Sequence, residues 1–166
     1  MGEGHITFRD HRVWYRVVGE DRGKPPLLLI HGGPGSTSHL LTPLAALADT
    51  GRQVVFYDQL GAGRSDRTHD PALWTLETFV DEVQAVRDHL GLDDVHVLGH
   101  SWGGMLALEH ALRQPAGLRS LVLVSALVSA PLFATESARL VAQLPTLWRR
   151  VLTHRSTDDE PAVAVA

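Results

Sequence analysis

The sequence of 166 residues contains no cysteine, which excludes disulfide bonds, thiolate metal sites and a thiol nucleophile. It also has no run of Lys or Arg and a net charge of -4, so the basic surface typical of nucleic-acid binding or of a polybasic membrane patch is missing. Its apolar runs are far shorter than the ~20 residues that cross a bilayer. The charged N-terminus lacks the apolar segment of a signal peptide. We therefore expect a cytoplasmic protein that binds neither nucleic acid nor membrane.

The motifs of the common cofactor and metal sites are also absent. Neither Gly-x-Gly-x-x-Gly nor a P-loop occurs, and there is no His-Glu-x-x-His. His96 and His100 form no recognised metal pair with a carboxylate. The sequence therefore predicts no metal and no organic cofactor.

Hydrophobic patterning predicts strands that alternate with helices. Continuous apolar runs indicate buried strands at residues 27–30, 53–57, 95–98 and 121–124, and two strands at 5–8 and 13–18 are predicted to form a hairpin. Helices are predicted at residues 39–49, 75–90 and 102–113, with Thr75 as an N-cap. This alternation predicts a mainly parallel sheet with helices on both faces. After residue 130 the pattern becomes purely helical, at residues 134–144 and 147–152.

The strongest chemical signal is Gly99-His100-Ser101-Trp102-Gly103, between a predicted strand and a predicted helix. Taken alone, this pattern also fits a glycine-rich turn, but in that context it is typical of a nucleophile elbow. The turn is too tight for side chains two positions on either side of the serine, so Gly99 and Gly103 would avoid clashes. Ser101 is therefore the predicted nucleophile, with a helix N-terminus behind it that favours negative charge.

A second motif, His31-Gly32-Gly33-Pro34-Gly35, directly follows the predicted strand at residues 27–30. An acyl-transfer enzyme needs N–H donors aimed at the oxyanion, and losing one donor costs about 3 kcal/mol. Glycines allow that close approach, whereas Pro34 has no N–H and only fixes the loop. We predict that the backbone N–H groups of Gly33 and Trp102 are the donors and that His31, Gly32, Pro34 and Gly35 support them. The alternative is a tight loop without a catalytic role.

These two motifs, together with Tyr57-Asp58-Gln59-Leu60-Gly61-Ala62-Gly63-Arg64-Ser65-Asp66 between them, resemble the proline iminopeptidase (prolyl aminopeptidase) family. The resemblance runs from about Val13 to about Arg150. It implies the α/β-hydrolase fold, release of an N-terminal residue (typically proline) from peptides, Ser101 as nucleophile, and Gly33 and Trp102 as oxyanion donors. It also implies a core over residues 1–130 and the beginning of a helical cap, incomplete, over residues 131–166.

The middle motif has a structural interpretation. Gly61 and Gly63 are expected to supply positive φ angles, and Asp58, Arg64 and Asp66 to fix the loop by hydrogen bonds and ion pairs. Asp58 is not expected to be catalytic, since this fold places the triad acid after the nucleophile.

The base and the acid of a triad are not evident after Ser101. In this fold the order is serine, acid, histidine, but only His110 and His154 follow Ser101. His110 is predicted to be a structural histidine within a helix. His154 has no strand before it, and Asp158 and Asp159 come after it, in the wrong order. We therefore expect the acid and the base beyond Ala166, a fold truncated before its last strands, and no activity in this chain alone.

The leading hypothesis is a serine peptidase that releases N-terminal proline through a Ser101 acyl-enzyme, with a small peptide or amino-acid-derived substrate. One alternative is a related α/β-hydrolase that acts on amino-acid amides, esters or lactones. Another is a catalytically inactive truncated fragment. Epoxide hydrolases and haloalkane dehalogenases are disfavoured because they carry Asp at the nucleophile position. The oligomeric state is not predicted.

Overall fold

The computed structural model describes residues 2–153, so His154, Asp158 and Asp159 lie outside the described residues. The chain divides into two compact units, Met1–Val128 and Ser129–Ala166. In the described part of the chain, no helix has the length and apolar character that crossing a membrane requires.

A six-stranded sheet forms the centre of the first unit. Its strands are β1 (Gly2–Phe8), β2 (His11–Val18), β3 (Leu27–Ile30), β4 (Val54–Tyr57), β5 (Val95–His100) and β6 (Leu118–Val124). They lie in the order β1-β2-β4-β3-β5-β6. β2 is antiparallel to β1 and to β4, whereas β3 is parallel to β4 and β5, and β5 is parallel to β6. The prediction of a mainly parallel sheet is confirmed.

The predicted hairpin is formed by β1 and β2, which are longer than expected and leave only Arg9 and Asp10 between them. Both residues have positive φ, at 46° and 65°. Two-residue turns with positive φ at both positions match the right-handed twist of the flanking strands.

Helices cover both faces of the sheet because β3 and β4 present apolar side chains alternately to each side. On one face, Leu41 of a helix at Ser38–Thr50 packs with Leu27, Leu29 and Phe56. Helices α1 (Leu76–His89) and α2 (Trp102–Leu112) pack on the other face. The predicted N-cap of α1 is confirmed, since the Thr75 side chain accepts a hydrogen bond from the N–H of Thr78.

Two details differ from the sequence-based prediction. The helix Ser38–Thr50 is a 3₁₀ helix, and Pro43 within it cannot donate the hydrogen bond that a regular α-helix requires. The run at residues 121–124 is a strand, as predicted, but it is not buried. It belongs to β6, which among residues 2–153 lies at the sheet edge and pairs only with β5, so that Val122, Leu123 and Val124 are 43%, 39% and 40% exposed. This exposure agrees with the expectation of a fold truncated before its last strands.

The second unit begins with two helices, α3 (Ala130–Ala142) and α4 (Thr146–Thr153). Ser129 caps α3 by accepting a hydrogen bond from the N–H of Leu132. Neither helix has a buried residue, and the exposed apolar side chains include Phe133, Leu147 and Trp148. The helical character predicted after residue 130 is confirmed, with both helices beginning earlier than expected.

Candidate active site

Ser101 occupies the sharp turn between the end of β5 and the start of α2. Its φ of 53° and ψ of -118° lie outside the regions that ordinary L-residues adopt, and such strain is characteristic of functional positions. The turn is held by the N–H of Ser101, which donates to Val124 O at 2.9 Å, and by Ser101 O, which accepts from Gly104 N at 2.9 Å. The side chain is partly exposed and forms no capping hydrogen bond with α2. Its hydroxyl therefore stands at the helix N-terminus without an intrahelical partner.

The glycines beside Ser101 allow the elbow to pack against neighbouring backbone. A Cβ on Gly99 would overlap the carbonyl oxygen of Gly103, and a Cβ on Gly103 would overlap the carbonyl oxygens of Ile30 and His31. Gly103 thus brings the first turn of α2 against the end of β3. The predicted steric need for glycine at both positions is evident in this packing.

The glycine-rich loop after β3 meets the elbow at Gly32. A Cβ on this buried glycine would lie 3.2 Å from Ser101 Cβ and 3.0 Å from His100 Nδ1. The following residues, Gly33, Pro34 and Gly35, are exposed, and Gly33 and Gly35 have φ angles of 140° and 85°. The structure therefore brings the two predicted motifs together, with His31 and Gly32 buried and the loop tip open to solvent.

The two predicted oxyanion donors belong to the first turn of α2 and to the glycine loop. The N–H of Trp102 is in the first turn of α2, where N–H groups have no intrahelical acceptor. That turn contains no acidic residue, so the positive end of the helix dipole is not neutralised there. Gly33 lies on the loop that meets the elbow, one residue after Gly32. The geometry places both predicted donors on segments that adjoin Ser101.

The middle motif is a structural loop, as the sequence predicts. Gly61 and Gly63 have positive φ angles of 81° and 52°. The buried carboxylate of Asp58 accepts hydrogen bonds from Ser38 N and Ser38 Oγ, both at 2.8 Å, and from Arg64 N at 3.0 Å. Asp66 is ion-paired with Arg12 at 3.1 Å. With both of its oxygens engaged in this way, Asp58 has a structural role.

His31 is a buried neutral histidine that holds the first loop. Its Nε2 accepts the N–H of Gln59 at 3.0 Å, and its Nδ1 lies 2.7 Å from Gly32 O, to which it donates in this tautomer. Burial lowers the pKa of His31, which is consistent with a ring that accepts at one nitrogen and donates at the other. His31 supports the loop through these contacts.

Two histidines near the elbow differ in their surroundings. His110 in α2 is buried, and its Nε2 lies 3.1 Å from Arg87 Nη1, which can only donate. Burial and the charge of Arg87 lower the pKa of His110 to about 4. The predicted structural role of His110 agrees with this environment. The Nδ1 of His100 is buried and has no hydrogen-bond partner in the described part of the chain.

Sequence reasoning missed Glu82, a fully buried carboxyl group on the face of α1 that packs onto the sheet. Its Oε1 accepts the N–H of Leu60 at 2.7 Å, while Oε2 has no partner among residues 2–153. Burial raises the pKa of Glu82 to about 8. The sequence does contain a pattern that could have identified Glu82, because this residue falls at helical spacing between Phe79 and Val86 on the apolar stripe of α1.

Replacing Glu82 with glutamine is expected to flatten the pH dependence of stability. The folded state holds the Glu82 proton up to about pH 8, whereas the unfolded chain releases it near pH 4.5, so the free energy of unfolding falls as pH rises between these values. The slope is at most about 1.4 kcal/mol per pH unit. His110 has the opposite slope between about pH 4 and 6.5, so the net fall should emerge above pH 6.5.

Urea unfolding at pH 6.5, 7, 7.5 and 8 measures this effect. Glu82→Gln should remove the decline, and Glu77→Gln, an exposed change on the same helix, should leave it in place. An equal decline in wild type and Glu82→Gln would contradict the assignment.

No group of three or more His, Cys, Asp or Glu side chains in residues 2–153 is arranged to hold a metal ion. The arrangement around Ser101 instead combines a strained serine, a helix N-terminus and a glycine loop. Such a site can attack a carbonyl carbon and stabilise the resulting oxyanion, once a base takes the serine proton.

Comparison with known proteins agrees with this geometry. The family described as alpha/beta hydrolase fold matches residues 25–159. A proline iminopeptidase of Clostridium botulinum is 46% identical over 145 residues, which cover 86% of this chain and 50% of the relative. The crystal structure of VinJ has a TM-score of 0.84 at 44% identity and covers 92% of this chain and 53% of VinJ. The crystal structure of proline iminopeptidase from Mycobacterium smegmatis has a TM-score of 0.83 at 43% identity, and the match covers 91% of this chain and 52% of that protein.

The resemblance inferred from the three motifs is thus confirmed. The chain spans about half the length of the curated relatives it matches.

Proposed function

The chain belongs to the α/β-hydrolase family, and from that premise we propose that it is the N-terminal part of a serine hydrolase of the proline iminopeptidase type. The observation that carries the proposal is the strained conformation of Ser101, with φ of 53°, between β5 and α2 and beside the glycine loop. Relatives named proline iminopeptidase, at 42% to 50% identity, support the substrate class.

In the proposed reaction, Ser101 Oγ attacks the carbonyl carbon of an N-terminal prolyl residue. The serine proton passes to a general base, and the N–H groups of Gly33 and Trp102 bind the oxyanion of the tetrahedral intermediate. Collapse of the intermediate breaks the C–N bond, and the leaving amine takes the proton from the base. Water then hydrolyses the Ser101 ester, releasing proline and restoring the hydroxyl.

The base and its orienting acid are proposed to lie in sequence that follows Ala166. The coverage of about half of each relative supports this proposal. Within residues 2–153, His110 is engaged with Arg87 and Asp58 with Ser38 and Arg64, so neither serves. The 166-residue chain assayed by itself is accordingly expected to show only the weak residual catalysis of a site without its base.

The substrate class is tested with the full-length protein encoded by the gene. Proline β-naphthylamide should be cleaved with a higher kcat/KM than fatty-acyl esters, and the 166-residue chain by itself serves as the comparison with only residual turnover. A clear preference for acyl esters or lactones would replace the proposal with that of a related hydrolase. Absence of turnover on every substrate in the full-length protein would indicate a catalytically inactive product.

A further inference from the structure

Gln59, a buried residue just after β4, links the two segments that carry the proposed oxyanion donors. We propose that Gln59 is a positioning residue, which holds the glycine loop and the nucleophile elbow at a fixed separation. The catalytic consequence of this inference rests on the proposed function. The hydrogen bonds from which the inference is argued are present whether or not that function is correct.

Three groups of Gln59 bond to two segments. Its backbone N–H donates to His31 Nε2 at 3.0 Å, and its side-chain Nε2 donates to His31 O at 2.8 Å. Its Oε1 accepts the indole Nε1–H of Trp102 at 3.0 Å. Gln59 is only 2% exposed, so water does not replace these bonds readily. Two of these groups of Gln59 thus bond to His31, and the third bonds to Trp102.

The partners determine the orientation of the amide. A backbone carbonyl only accepts and an indole N–H only donates, so Nε2 must face His31 and Oε1 must face Trp102. The glutamine amide supplies this donor and this acceptor together without carrying a charge. A glutamate would place a buried charge against the carbonyl oxygen of His31.

Neighbouring contacts prevent Gln59 from following a displaced partner. On one side, Asp58 is held by Ser38 and by the N–H of Arg64. On the other side, the N–H of Leu60 donates to Glu82. The Trp102 ring also packs edge-on against Phe79, with ring centroids 5.9 Å apart. The clamp formed by His31, Gln59 and Trp102 is therefore anchored in the core.

Each end of this clamp lies next to a proposed donor. Gly33 is two residues after His31, and the backbone N–H of Trp102 belongs to the residue whose indole Gln59 binds. Because catalysis depends on donors aligned with the oxyanion, a shift of about 1 Å between the segments can lower the rate by about 100-fold. Ground-state binding of the substrate does not depend on this alignment, so the loss should fall on kcat.

The test compares three variants of the full-length protein. Gln59→Met keeps the length of the side chain but removes its hydrogen bonds. Trp102→Phe removes the indole N–H while retaining the backbone donor and a ring against Phe79. Gln84→Met is the matched control, since the same substitution falls on a side chain whose one hydrogen bond within residues 2–153 is to Asp88 at the surface of α1.

We expect Gln59→Met to lower kcat by about 30- to 100-fold and Trp102→Phe by about 3- to 10-fold, with KM within about two-fold of wild type. The double variant should be no slower than Gln59→Met, because both changes break the same bond. An aminoboronic acid analogue of proline, which mimics the tetrahedral intermediate, should lose affinity in parallel with kcat/KM. Gln84→Met should match wild type in every measurement.

Hydrogen exchange of the Trp102 indole N–H, measured by NMR, reports on its bond to Gln59 independently of catalytic activity. Exchange should be slow in wild type and at least about ten-fold faster in Gln59→Met. Wild-type kcat in both Gln59→Met and Trp102→Phe, or unchanged indole exchange, overturns the clamp. Failure of the proposed function has a different signature, which is an inactive wild type whose indole exchange still responds to Gln59→Met.

Discussion

Replacing Ser101 with alanine in the full-length protein is expected to lower kcat by about 10⁴-fold or more, to the background of the assay. The substitution removes the atom that forms the acyl-enzyme and leaves only substrate binding and oxyanion stabilisation. The strained turn at φ 53° is made by the backbone, so alanine preserves the elbow while deleting the hydroxyl. Initial rates with proline β-naphthylamide and labelling by a fluorophosphonate probe measure the loss.

The matched control is Ser120→Ala, which deletes an exposed hydroxyl on β6 that is hydrogen-bonded to His96. This variant should retain both turnover and labelling. Turnover or labelling retained in Ser101→Ala would mean that the nucleophile lies elsewhere.

Replacing Gly103 with alanine is expected to destabilise the fold by more than about 3 kcal/mol. Two effects of opposite sign compete at this position. Helix propensity favours alanine over glycine by about 1 kcal/mol within α2. The added Cβ, however, overlaps the carbonyl oxygens of Ile30 and His31, which belong to the central strand β3 and its following residue and cannot move without disturbing the sheet. The steric cost should therefore exceed the gain in propensity.

Urea unfolding of wild type and Gly103→Ala measures this difference in the free energy of unfolding. Gly2→Ala is the control, since a Cβ at Gly2 meets no atom within 4 Å. A loss of this size is a large fraction of the 5–15 kcal/mol that typically stabilises a domain. If the midpoint of urea unfolding of Gly103→Ala equals that of wild type, the elbow does not require close contact with β3.

The elements that the sequence predicted well are those whose signals are local. The buried run at residues 27–30 coincides with β3, and Thr75 caps α1, because four continuous apolar residues and a capping side chain need no distant partner to be recognised. The motif around Ser101 was equally informative. Its glycines lie at a fixed spacing around Ser101 and are recognisable from consecutive residues, although the contacts of Gly103 with Ile30 and His31 are not.

The features that the sequence did not predict depend on contacts between distant segments. The clamp at Gln59 joins residues 28 and 43 positions away in the chain. Glu82 was recognisable as a charge on an apolar stripe, but its contact with Leu60 N was not.

The central claim, that Ser101 carries the acyl group, is tested most directly by locating a covalent adduct. Full-length protein treated with a fluorophosphonate is digested with trypsin and analysed by tandem mass spectrometry. Cleavage after Arg87 and Arg113 yields the peptide of residues 88–113, in which Ser101 is the only hydroxyl side chain. The account predicts the probe's mass on this peptide, assigned to Ser101 by its fragments. Stoichiometric label on any other peptide, with residues 88–113 unmodified, would contradict it.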